Sequence, residues 1–238
     1  WDNTIRLWDL KLNKQIQKLT GHENWISSLA YNSDGTLLAS GSFDGTVKIW
    51  SPKTGENILT IVSKDSAAHV IFSKERYYRS TKDGLKNVVY RDGLTDYPFE
   101  QFDLRYNRPD ILVSKLPNAS KEIATAYHKS YQKRLQKMGF KEEMLFGNMN
   151  LPEIKIIANA LPVNTTDENI EINIMASDAR HYLDRINIYI NDVPVYGIKG
   201  VGLRHRNVYQ YEQIFHLPLC RGENKIQCSV LNQNGVES

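Results

Sequence analysis

The sequence predicts a mainly β chain in three parts: a partial array of four-stranded blades, a short helical bridge and a small β-sandwich. Three observations carry that expectation. A nine-residue pattern recurs at an offset of 42 residues, one amphipathic stretch follows it, and the remainder alternates apolar and polar residues between turn signals. The expected boundaries are 1–113, 114–150 and 151–238.

Composition bounds what such a chain can do. Of its 238 residues, 41% are apolar and 24% charged, which is ordinary for a globular protein. Thirty Lys and Arg against 27 Asp and Glu leave a net charge of +3, too small to point to nucleic acid or a membrane. No apolar run reaches the ~18 residues of a membrane span. Two cysteines exclude a disulfide framework and a four-thiolate zinc site, and no metal or cofactor site is expected. A reducing cytosol suits this cysteine usage, so the expected location is cytoplasmic. The chain opens on Trp1 with neither Met nor a signal segment, and reads as part of something longer.

The repeat dictates the first part. Trp1-Asp2-Asn3-Thr4-Ile5-Arg6-Leu7-Trp8-Asp9 lies over Phe43-Asp44-Gly45-Thr46-Val47-Lys48-Ile49-Trp50-Ser51, matching Asp, Thr and Trp and conserving the type of most other positions. Between the copies come Gly21-His22, an apolar run from Trp25 to Tyr31, an Asn32–Gly35 turn, and Leu37–Ser42. That is strand, turn, strand, turn, strand, with Asp-Gly chemistry at both turns.

This pattern resembles the WD40 family over residues 1–60, which implies part of a β-propeller of about two and a half blades. In that family a His, a Ser or Thr, an Asp and a Trp form a hydrogen-bonded chain within each blade. The resemblance carries these roles to His22, Ser40, Asp44 and Trp50, with Asp2 and Trp8 left from the preceding blade. Ser, His and Asp also spell a hydrolase triad, but the repeat period accounts for every member, so the expected role is structural. The next period decays: Val89 stands where Trp50 stood, and 55–113 is expected to be a last blade with an exit strap at 97–110.

The bridge follows. Ile123, Tyr127, Tyr131, Leu135 and Met138 recur at three- and four-residue spacing, with Lys129, Lys133 and Lys137 on the other side. Asn118 or Ser120 offers an N-cap, and Gly139 offers the C-terminal left-handed residue. Residues 114–148 hold seven basic against three acidic side chains, expected as a solvated face on a helix whose apolar stripe packs as a rigid joint. A short Lys141–Phe146 turn completes it.

From Leu151 onward, Ile170–Ala176 and Ile186–Asn191 alternate strictly, and Asn191-Asp192, Arg221–Asn224 and Asn234-Gly235 supply turns. A sandwich is expected, with Tyr209–Leu217 and Ile226–Asn232 as its last hairpin. That hairpin loosely resembles immunoglobulin-like or fibronectin-III-like modules. Cys220-Arg221-Gly222 echoes a caspase nucleophile loop, but its flanks differ and no His-Gly occurs anywhere. Cys220 and Cys228 are expected as small, partly buried side chains, unbridged.

The order of parts is itself informative. The strap and Leu183–Val195 resemble bacterial WD40-repeat proteins in which this region precedes a caspase-like cysteine peptidase domain. The resemblance implies a non-enzymatic interaction and spacer region, its propeller sensing a protein or peptide ligand and coupling in cis to a downstream peptidase. The alternative is a free-standing interaction scaffold whose sandwich is a second binding module.

Overall fold

The computed structural model describes residues 2–64, 67–81, 83–85, 88–92, 95–145, 150–157 and 164–238. Trp1 and Phe146 therefore lie outside the described residues. The chain divides into two compact units, residues 1–99 with 106–132, and 100–105 with 133–238. That division falls inside the helix which the sequence marks as a separate bridge.

In the first unit, β1 (Ile5–Asp9) and β2 (Lys14–Leu19) form a two-stranded antiparallel ladder. A second sheet runs in chain order through β3 (Ile26–Tyr31), β4 (Leu38–Ser42), β5 (Thr46–Trp50), β6 (Asn57–Ser63), β7 (His69–Phe72) and β8 (Tyr78–Ser80). Strands β3 to β6 are one complete four-stranded repeat, and β1–β2 are the last two strands of another. Together they make a partial propeller. Leu38 and Trp50 of the sheet share a small core with Ile5 and Leu19 of the ladder. Gly45 takes φ +82°, a left-handed conformation that closes the β4–β5 turn at little steric cost to glycine.

The segment 55–113 departs from the expected separate blade. β6 completes the repeat, and β7 and β8 extend the same sheet from its outer edge. The reason is the continuity of the cross-strand rows: Lys48, Thr60, Phe72 and Tyr78 lie opposite one another in sequence. Short connections between these strands favour antiparallel neighbours over a new sheet. A further ladder pairs β9 (Val89–Asp92) with β10 (Thr95–Pro98). A 3-10 turn at Phe99–Phe102 and α1 (Asp103–Tyr106) precede α2 (Pro109–Ser114) and α3 (Lys121–Met138).

Ser120 caps α3, its hydroxyl accepting the Ile123 amide at 3.2 Å and donating to Glu122 at 2.6 Å. Gly139 ends it at φ +72°, and the Phe140 amide reaches back to the Leu135 carbonyl at 2.9 Å. Of the apolar stripe, Tyr131 and Leu135 are buried and Tyr127 and Met138 half-buried. Ile123 is a correction: it is 52% exposed. It sits in the first turn, ahead of the stretch where Arg79 covers the Tyr127 ring (5.4 Å) and Arg108 the Tyr131 ring (4.0 Å). Arg108 is itself held by Asp110, which also meets His128 Nδ1 at 3.0 Å. No helix among the described residues is long and apolar enough to cross a membrane.

The second unit holds two antiparallel sheets. One is β11 (Glu153–Ile157), β12 (Asn169–Ser177) and β16 (Gln210–Pro218). The other centres on β13 (Leu183–Ile190), which pairs with β14 (Val193–Pro194), β15 (Val201–Gly202) and β17 (Ile226–Asn232). Ile172, Ile174, Phe215 and Leu217 from the first sheet share one core with Ile186, Ile188 and Val230 from the second. The expected final hairpin is therefore corrected. β16 pairs with β12 over nine residues while β17 pairs with β13, so the Arg221–Asn224 connection crosses between sheets. Each strand thereby turns its apolar face into the common core of the two sheets. Cys228 lies opposite Ile188, and Cys220 is exposed, not partly buried, because it stands in that crossing.

Candidate functional site

Four residues of the complete repeat converge. Trp50 Nε1 donates to Ser40 Oγ at 2.8 Å, Ser40 Oγ lies 2.7 Å from His22 Nε2, and His22 Nδ1 lies 2.7 Å from Asp44 Oδ2. The indole can only donate and the carboxylate can only accept. With a neutral imidazole, Ser40 donates to Nε2 and Nδ1–H donates to Asp44, so every member of the chain is satisfied. Trp50 is 1% exposed, and His22 and Ser40 are buried with it. Gly21 leaves room for the indole, since a Cβ there would stand 3.3 Å from Trp50 Cη2.

Asp44 ends the chain and is the most heavily bonded. It also accepts from the Thr46 amide (2.9 Å), the Thr46 hydroxyl (2.7 Å) and the Glu23 amide (3.0 Å). Burial pushes its carboxyl up, but the bonds from Thr46, His22 and Glu23 outweigh burial and hold it well below the ordinary carboxylate range. The Ser40 hydroxyl is enclosed and engaged on both sides.

Asp2 and Trp8 do not join such a chain. Asp2 is bonded by the Thr4 hydroxyl at 2.8 Å and paired with Arg6, and Trp8 is 55% exposed.

The buried chain positions two loops. Asp44 ties the 43–46 turn to the Glu23 backbone, and the Phe43 amide donates to the Trp25 carbonyl at 2.9 Å. Trp25 and Phe43 are thus held side by side, ring centroids 6.4 Å apart and edge to face, yet 53% and 70% exposed. With Asn3, Arg6 and Ile26 they line a hollow of about 430 Å³ that also includes Asp2. In the sequence Trp25 opens an apolar run and Phe43 opens the second repeat copy, and neither is marked as a contact residue. The signal for them was adjacency: an aromatic directly before the turn Asp44 and another three residues after His22.

The repeat is recognisable by comparison. A family model for the WD domain, G-beta repeat, matches residues 13–51. Over 50 residues the chain is 58% identical to a guanine nucleotide-binding protein subunit beta of Schizosaccharomyces pombe, covering 21% of this chain and 16% of that protein. It is 32% identical over 88 residues to small ribosomal subunit protein RACK1y of Oryza sativa subsp. japonica, covering 36% and 26% respectively. It is 30% identical over 125 residues to Protein SPA1-RELATED 3 of Arabidopsis thaliana, covering 52% and 13%. The chain thus spans about a quarter or less of the length of each.

Proposed function

We propose, from the match of residues 13–51 to the WD40 repeat, that the chain is a protein-interaction scaffold rather than an enzyme. The observation that carries this is the Trp25–Phe43 pair. Two large aromatic rings are kept exposed over a hollow by a hydrogen-bonded frame beneath them. Burying aromatic and Arg side chains at a contact is how interfaces concentrate binding energy, and rings already fixed in place lose little entropy on binding. The partner is a protein or peptide that seats an apolar side chain in the hollow against the two rings and meets the Asp2–Arg6 pair beside them.

Random displayed peptides selected on the wild-type chain test this. Selected peptides should lose affinity for a Trp25→Ala/Phe43→Ala variant whose melting is unchanged. Equal binding to that variant, or failure to select any peptide, would sink the proposal.

A finer form couples this scaffold to a caspase-like peptidase domain in cis. Behind it stand the strap at 97–110 and Leu183–Val195, whose sequences resemble bacterial proteins of that plan. The coding sequence after Ser238 decides it. A His-Gly and a Gln-x-Cys-x-Gly context there supports coupling, and an early stop codon leaves the scaffold with its sandwich as a second binding module.

A further inference from the structure

The two repeat copies place a basic residue at the same position, Arg6 in one and Lys48 in the other, each four residues after its Asp. Arg6 is paired with Asp2. Lys48 has lost that partner, because Asp44 is occupied by His22, Thr46 and Glu23. Its Nζ lies instead 3.3 Å from the neutral Thr60 hydroxyl, and the side chain is half-buried. Burial pushes its pKa down, and Asp44 and Glu23 act on it only through space. A half-buried ammonium has shed part of its hydration without gaining a contacting anion.

Lys48 lies in the wall of a groove of about 1230 Å³ in the first unit. The groove runs over the Lys48–Thr60–Phe72 row, between the turn after β5 and the segment after α2. Lys53 and Lys74 are exposed at its rim, and Lys115 lies along it, paired with Glu75 at 2.8 Å. Counting Glu56, the groove holds four lysines against two glutamates.

From these observations we infer that the groove binds an acidic peptide segment of a partner protein, one of whose carboxylates meets Lys48. The volume exceeds the roughly 300–1,000 Å³ of small-molecule sites and suits an extended segment of several residues. Its chemistry favours a peptide over a nucleic acid. Glu56 and Glu75 stand among the lysines, where an unbroken phosphate backbone would meet them. No base-stacking platform is offered either, since Trp50 is buried and Phe72 packs edge to face on Phe99 with centroids 6.5 Å apart. This groove is separate from the Trp25–Phe43 hollow, so either can fail without the other.

A fluorescein-labelled peptide of alternating Glu and Leu, titrated against the full chain and followed by anisotropy, tests the inference. Binding should weaken with added salt. Lys48→Gln should reduce affinity about tenfold and Lys53→Gln/Lys74→Gln about threefold, while Trp25→Ala/Phe43→Ala leaves it unchanged. Thermal melting of each variant controls for folding, and the rim pair carries the test if Lys48→Gln unfolds. The inference is overturned if the wild type does not bind below about 1 mM, or if both lysine variants bind as the wild type does. It is equally overturned if the aromatic variant abolishes binding, or if a single-stranded oligonucleotide displaces the peptide at lower concentration than unlabelled peptide does.

Discussion

Residues 2–9 and 44–51 share Asp, Thr and Trp at matching positions and a basic residue between, yet their surroundings differ at almost every one. Asp44 collects four donors and Trp50 is enclosed, whereas among the described residues Asp2 has its local Thr4 and Arg6 contacts and Trp8 is 55% exposed. The local part of the pattern is common to both: Thr46 bonds Asp44 as Thr4 bonds Asp2. The Asp44 copy is also bonded by distant residues, His22 and Ser40, which come from 22 and four residues before Asp44. An Asp-x-Thr turn forms by itself. A buried indole needs an acceptor and a covering strand.

Substitution at the two tryptophans gives the largest contrast. Trp50→Ala should destabilise the first unit by about 3–5 kcal/mol, since it opens a cavity and strands Ser40, while Trp8→Ala should stay within about 0.5 kcal/mol. Urea midpoints for the two variants check this, and similar losses would mean that the copies are equivalent after all. Within α3 the same logic applies to Leu135, buried, and Ile123, exposed. Leu135→Ala should cost about 2–5 kcal/mol and Ile123→Ala well under 1. A large loss at Ile123, seen by thermal melting, would restore the full stripe.

The carboxylates come next. Asp44→Ala should cost about 1–3 kcal/mol by leaving His22 and two amides without an acceptor, whereas Asp2→Ala should leave the urea midpoint where it is. The Asp44 effect has a pH signature. Its folded-state pKa is depressed, so its contribution is present above the unfolded value of about 3.9 and is lost as pH falls through the folded value. The stability gap between wild type and Asp44→Asn should therefore narrow from about pH 5 downward. A gap that stays constant would mean that the bonds to the carboxylate do not depend on its charge.

The smallest contrast is between the cysteines. Burial pushes the Cys228 thiol up to about 11, and Cys220 is exposed. At about pH 8 only about a thousandth of Cys228 would be thiolate, so Ellman's reagent should label Cys220 promptly and Cys228 only with unfolding. Rapid labelling of both would show that β17 opens readily.

Much of this was legible in the sequence, and what was not has a common character. The blade strands, the Asp44-Gly45 turn, the capping Ser120 and Gly139, and the alternation of the second unit depend on neighbours within a few residues, where turn chemistry and periodicity act directly. Strand partners did not follow from such signals. β16 and β17 read as a hairpin because a turn joins them, but alternating strands fit several ladders, and only the shared core of the two sheets selects among these. β7 and β8 likewise joined the existing sheet.

The sequence by itself determined the repeat, its 42-residue period, the position of each Asp and Trp, and the long helix α3. Those depend on spacing, which any chain displays before it folds. Tertiary structure alone decided that Trp25 and Phe43 meet over a hollow, and that Asp44 is taken up by His22, Thr46 and Glu23 rather than by Lys48. Each of these is a competition between groups far apart in sequence for one donor, acceptor or covering surface. Spacing can bring candidates to such a competition, but packing and desolvation decide which contact forms.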